Sequence, residues 1–277
     1  MRIQVTLTVH EAKRMIAKGV ARLPSVEAAL KSGKVFLKGG TTVSAVCEEL
    51  VGKPLRISGR VTPQGTKVSQ VSASEFHCAL IEGGTLISVD DLLAQTIEGL
   101  ETEDVAIIGA NAIDVYGNAA LMYGAPMGGE PGKIISGLLA EICDIIVVAG
   151  LEKLVRGSLT DIIRQSGRKS IDVSMGMAVG LTPVAGRIIT EQDAIPLLAD
   201  VTCTVIGKGG VFGAEGATTM VVEGEQEDVE KVFQIISSVK GAGVSGDPES
   251  FTECVAPHEK CKLHRACIYK RAKNHGE

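Results

Sequence analysis

The sequence predicts an α/β protein built on a largely parallel sheet, and three observations carry that expectation. Short apolar runs at residues 35–37, 105–108 and 145–148 each stop at glycine or polar residues. Helical spacing appears between them: Leu92, Leu93, Ile97 and Leu100 share one face of a helix. Residues 104–155 read as strand, polar loop, helix, strand, with polar groups gathered at the strand's carboxyl end. In open parallel sheets that edge is where ligands bind.

Taken in order, residues 3–9 read as a strand and a helix starts near His10. Pro24 opens a second helix that stops at Gly33, since proline suits a first helical turn and glycine an end. The strand at 35–37 runs into Gly39-Gly40-Thr41-Thr42, and residues 43–50 read as a helix. Residues 56–61, 68–71 and 78–81 are strand candidates, and 89–100 a helix. After the 104–155 unit the pattern changes. Residues 187–189, 201–206 and 218–222 read as strands, with helices at 191–198 and 226–239. This β-α-β-β-α order fits part of a small split βαβ, ferredoxin-like unit. The expected division is an α/β ligand-binding domain at 1–180, the small unit at 181–245 and a basic Cys/His-rich tail at 246–277.

Composition excludes several classes of function. Of 277 residues 45% are hydrophobic, enough for a sizeable core, and 33 glycines allow many tight loops. Aromatic residues make up 3% and tryptophan is absent, which weighs against base stacking. A net charge of −5 offers no basic footprint for nucleic acid. No apolar run approaches the roughly 18 residues of a membrane span. No charged-then-apolar leader is seen, so a cytoplasmic protein with reduced thiols is expected. A small-molecule anion is the expected partner, with neither nucleic acid nor membrane, and a homo-oligomer is compatible with the sequence.

Three motifs are candidates for chemistry. In KVFLKGGTTVSAVCEEL a strand ends at Gly39 and Gly40, Thr41 and Thr42 follow, and a helix begins. Glycine amides, threonine hydroxyls and a helix N-terminus suit an anion, although a glycine turn with a threonine cap has the same spacing. The loop at 109–133 holds Gly109, the hydrogen-bonders Asn111 and Asn118, the carboxylates Asp114 and Glu130, and Lys133. Enolisation needs a carboxylate base and a donor for the oxygen, which Asp114, Glu130 and Lys133 would supply. Asp114 and Asn118 are also ordinary turn residues. The glycine-rich stretch at 207–216 reads either as a ligand flap or as a mobile connection.

Two of these motifs resemble a known superfamily. KVFLKGGTTVSAVCEEL is similar to the GxGSTV phosphate loop of the ribose-5-phosphate isomerase A family. GANAIDVYGNAAL…GGEPGK…DIIVVAGLEKLV resembles that family's GADEVD…KGGGG…REK…KLV block. Together they cover about a quarter of the chain. The resemblance implies the fold shared by glucosamine-6-phosphate deaminase, ribose-5-phosphate isomerase and CoA-transferase-like proteins, with a sugar-phosphate-like substrate and enediol chemistry. It also implies altered catalytic positions. Asn111 stands at the family's aspartate and Ala112 at its glutamate, while Asp114 matches the VD aspartate. Lys133 matches the REK lysine, Gly132 takes its glutamate's place, and Glu130 lies two residues earlier. Such losses equally suit a non-catalytic ligand sensor or regulatory subunit.

The tail carries the last candidate site. Cys254, His258, Cys261, His264 and Cys267 fall within fourteen residues. Cys254, Cys261 and Cys267, with His264, are the candidate ligands for zinc or an iron–sulfur cluster. A single α-helix, at about 3.6 residues per turn, would put His258 and Cys267 on opposite sides. A metal site therefore needs a loop here. The alternative is an amphipathic helix that packs Cys261, His264 and Ile268 inward.

Overall fold

The computed structural model describes residues 1–69, 76–141, 144–254 and 259–270. It is a mixed α/β structure with one large sheet and several small ones. In chain order the first elements are β1 (Arg2–Leu7), α1 (Val9–Val20), α2 (Pro24–Ser32), β2 (Lys34–Lys38) and α3 (Thr41–Val51). Next come β3 (Gly59–Thr62), β4 (Gly65–Val68), β5 (Cys78–Glu82), β6 (Thr85–Ser88) and α4 (Leu93–Glu98). The central unit is β7 (Val105–Gly109), β8 (Ala112–Ile113), β9 (Ala119–Tyr123), α5 (Gly129–Ala140) and β10 (Asp144–Val148). The rest is α6 (Leu159–Gln165), β11 (Gly180–Val184), β12 (Arg187–Ile189), α7 (Glu191–Ala194), β13 (Val201–Lys208), β14 (Thr218–Gly224) and α8 (Gln226–Ser238).

The large sheet has the order β12-β10-β7-β2-β5-β6. Its first four strands are parallel; β5 is antiparallel to β2, and β6 is antiparallel to β5. The sheet is therefore mixed where the sequence suggested largely parallel. Gly83 and Gly84, both at positive φ, make the two-residue β5–β6 turn, a conformation that favours glycine.

Alternation in the central strands sets the two faces. Val35, Leu37, Val105, Ile107, Ile146 and Val148 point to one side, where α1, α2 and α3 cover them. Phe36, Ala106, Ile108, Ile145 and Val147 point to the other, under α4 and α5. The chain thus leaves β2 toward one face and β7 toward the other. The switch point of the sheet lies between these neighbours, and crevices form at such points.

The second sheet differs from the expected contiguous unit. It is antiparallel, ordered β1-β14-β13, and α8 packs on it. Its outer strand comes from the first residues of the chain, with Arg2 opposite Glu223. Residues 187–189 join the large sheet instead, beside β10. Helix α1 serves both layers: Ile16, Ala17 and Val20 face the large sheet, Ala12 and Met15 the small one.

Two further expectations are corrected. The helix at 89–100 is confined to Leu93–Glu98. The polar loop after β7 contains the β8–β9 hairpin, to which β11 adds a third strand. In the tail, for which a loop and a helix were both open, the described part forms short 3-10 turns, among them Glu259–Leu263 and Ile268–Lys270. Among the described residues no helix is long and apolar enough to cross a membrane.

Candidate functional site

The edge between β2 and β7 is built from backbone constraints outward. At the end of β2 the Gly39 N–H donates to the His77 carbonyl at 2.7 Å. A Cβ on Gly39 would sit 2.2 Å from that same oxygen, so glycine is required for the strand to pass. Gly40 is extended and has nothing within 4 Å of a Cβ position, so its outer side is open. Thr41 and Thr42 then form the first turn of α3. One strand over, Lys38 lies opposite Ile108 and β7 ends at Gly109. The two glycine loops therefore share one carboxyl edge, as neighbouring strands are about 5 Å apart.

Two lysines are buried at this edge. Lys13, on α1, donates its ammonium to Thr41 Oγ1 at 2.9 Å and lies 3.9 Å from Glu152 Oε1. Burial draws its pKa down to about 8, against the pull of Glu152. Lys38, at 6% exposure, lies on the opposite face with its ammonium 5.5 Å from the Tyr123 ring centroid. Among the described residues no carboxylate lies within ion-pair distance of it. Burial lowers its pKa as well.

Acid–base groups surround Lys13. Glu152 follows β10 at the same edge; its buried oxygens have no hydrogen-bond partner among the described residues, and Lys153 Nζ lies 3.8 Å from Oε1. His10 has a buried Nδ1 with no hydrogen-bond partner among the described residues, and burial followed by the Lys13 charge lowers its pKa. Glu191 accepts from the Thr218 hydroxyl at 2.7 Å and the Leu151 amide at 2.9 Å. Burial raises its pKa, and the nearby Glu152 charge adds to that.

The carboxylates singled out in the sequence sit elsewhere. Asp114 is 6% exposed and accepts from the amides of Tyr116, Asn118 and Leu159, and from the Asn118 side chain. Burial alone would raise its pKa, but these donors together hold it low. It ties the β8–β9 turn to the head of α6. Asn118 is its turn partner, and Asn111 Oδ1 accepts from the Met122 amide within the same hairpin. Glu130 and Lys133 form a 2.6 Å pair with their side chains 69% and 53% exposed. Of the residues expected at the site, Gly39, Gly40, Thr41, Thr42 and Gly109 are brought together, whereas Asp114, Glu130 and Lys133 are not gathered around them. Lys13, Lys38, His10 and Glu152 were missed. Only Glu152 left a trace in the sequence, as a carboxylate just beyond the apolar run at 145–148.

A separate cavity, its exposed lining largely apolar, lies under the tail. Cys254, Cys261, His264 and Cys267 line it together with Lys67 and Tyr269. Backbone contacts hold the tail there: the Ser174 amide donates to Ala266 and the Ile268 amide to Ser174. The floor is tight because a Cβ on Gly176 would meet the Thr66 carbonyl at 1.9 Å. Lys67 is 1% exposed, its ammonium has no hydrogen-bond partner among the described residues, and it stands 3.5 Å from the Tyr269 ring centroid. Among the described residues no three His, Cys, Asp or Glu side chains converge on one ion as they stand. His258 lies outside the described residues.

Comparison of this chain with known protein families, with curated proteins and with solved structures finds no match to any of them.

Proposed function

We propose that this protein is an enzyme that binds a phosphorylated or carboxylated small molecule at the carboxyl edge between β2 and β7 and moves a proton on it. The observation that carries this reading is the pair of lysines buried at one edge, Lys13 on Thr41 and Lys38 with no carboxylate partner among the described residues. A buried ammonium without a counter-ion is costly, and an anionic ligand offsets that cost. The open side of Gly40 and the amides opening α3 add donors for the same anion.

The chemistry follows from what stands beside Lys13. Glu152, a buried carboxylate flanked by the ammonium groups of Lys13 and Lys153, is the base that takes a proton from carbon next to a carbonyl. Lys13, with a pKa of about 8, donates to the carbonyl oxygen as negative charge develops there. His10 relays the proton between neighbouring carbons. Aldose–ketose isomerisation through an enediol is the simplest reaction of this kind. The switch point and its two glycine loops support a sheet of the ribose-5-phosphate isomerase/CoA-transferase-like type. The β1-β14-β13 layer with α8 would stand for its ferredoxin-like part.

A non-catalytic sensor on the same fold is the second reading, favoured by the use of Asp114 and Asn111 as hairpin ties. Thermal shift with inorganic phosphate and a panel of sugar phosphates tests the shared anion site. A ligand at 100 times its Kd adds about 2.7 kcal/mol, or roughly 5–10 °C at this chain length. A flat response across the panel overturns both readings. Uptake of deuterium from D2O into a bound sugar phosphate separates them: exchange lost in Glu152→Gln supports the enzyme, and binding without exchange leaves the sensor.

A further inference from the structure

The cavity under the tail is independent of the edge described above, and its lining differs in chemistry. Three thiols and an imidazole from a fourteen-residue stretch face one cavity, brought there by reversals of the chain in short 3-10 turns. An α-helix could not have done this. Ala266, at φ 58, takes a left-handed conformation that residues with a Cβ rarely adopt, one residue before Cys267. The turns are fixed on a glycine-tight floor formed by residues 66 and 176.

The charge balance of the cavity calls for an anionic occupant. Lys67 lines it almost fully buried, its ammonium over the face of Tyr269 and without a hydrogen-bond partner among the described residues. An aromatic face offsets part of the cost of burying a cation, not all of it. Thiolates supply the missing negative charge once a metal has displaced their protons into solvent.

From this we infer that Cys254, Cys261 and Cys267 are ligands of a thiolate-bound metal centre, with His264 beside the remaining coordination position and Lys67 as its counter-charge. The thiols surround the cavity without meeting at one point. A ligand set of three thiols and an imidazole suits either an iron–sulfur cluster or zinc. A single ion would require the turns to close inward. Neither form involves oxidation of the protein: each thiol loses a proton and gains a bond to metal.

The test uses the full chain, purified anaerobically without a metal-affinity tag. Expected is one metal centre per chain, either iron with matching acid-labile sulfide and broad absorption near 400 nm, or zinc without such absorption. Both support the site, and the spectrum tells them apart. Cys261→Ser and Cys267→Ser should each lower the metal content at least fivefold, whereas Cys203→Ala, in the core of the small sheet, should keep it. Chelator treatment of the wild-type chain gives the same readout without a substitution. Absence of stoichiometric metal, metal unaffected by Cys261→Ser and Cys267→Ser together, or a disulfide among the three cysteines in anaerobic protein overturns the inference.

Discussion

The Lys13 ammonium donates to the Thr41 hydroxyl at 2.9 Å, joining two helices whose bonded residues are 28 positions apart. The same ammonium faces Glu152 at 3.9 Å, and both partners are nearly withdrawn from water. Removing one charge weakens the pairing of the other. Lys13→Met is expected to destabilise the fold by about 1–3 kcal/mol at pH 7, because the buried Glu152 carboxylate then keeps only the Lys153 ammonium, 3.8 Å away. The double variant with Glu152→Gln should recover at least about 1 kcal/mol of that loss. Urea unfolding of the four proteins in this cycle measures both quantities, and additive losses would mean the two groups do not interact.

The lowered pKa of Lys13 also makes a statement about pH. Below about 8 the group is protonated in both the folded and the unfolded chain, so its burial cost is constant. Between about 8 and the ordinary lysine value of 10.5 the unfolded chain binds more protons, and stability from this group rises with pH. The slope is at most about 1.4 kcal/mol per pH unit. Wild type should therefore gain on Lys13→Met as pH rises through this window. A stability difference independent of pH from 8 to 10 would place the folded pKa of Lys13 outside it.

Asp114 is expected to matter for stability and not for turnover. Four donors converge on it, from Tyr116, Asn118 and Leu159. Asp114→Ala should cost about 2–3 kcal/mol by leaving amides of the turn unsatisfied. Its stabilising contribution is present above the ordinary aspartate range and fades as acid protonates it below that range, since its folded pKa is lowered. Any activity per folded molecule should survive the substitution. Glu130→Ala and Lys133→Ala, at an exposed pair, should each shift stability by less than about 0.5 kcal/mol.

Gly39 and Gly40 should respond in opposite ways to alanine. At Gly39 the new Cβ meets the His77 carbonyl at 2.2 Å, so the strand ends must part and stability should fall by roughly 2 kcal/mol or more. At Gly40 the backbone is extended and the space is free, so stability should be near that of wild type. If an anion docks against Gly40, its thermal shift with phosphate should shrink at least threefold. An unchanged shift would move the anion away from this loop.

The strands were legible where burial on both faces makes a run continuously apolar, as at Val105–Gly109 and Asp144–Val148. The direction and order of pairing were not, since Thr85–Ser88 is a four-residue edge strand with no apolar run of its own. The partnership of β1 with β14 was beyond any local window. At the site, the glycine–threonine junction was readable because its residue types are restricted by geometry. Lys13 and Lys38 were not. A lysine on an amphipathic helix or at a strand end reads as solvated, and only the packing of α1 between two sheets withdraws it. The tail cysteines were found by spacing, while the turns that let them face one cavity depend on contacts with residues 174–178.

The pairing of β1 with β14 has a consequence for synthesis. Thr6 and Thr219, whose hydroxyls meet at 2.9 Å, are 213 residues apart in the chain. On a ribosome the outer strand of the small sheet emerges first, and its partner follows only after nearly all of the large sheet. Until then Val5, Leu7, Ala12 and Met15 have no small sheet to cover them. Contacts of such long range are closed late and slowly. The first helix, which carries Lys13, is then half-seated while the strands beside it assemble. The charged edge would reach its final geometry only when the last strand locks the first one down.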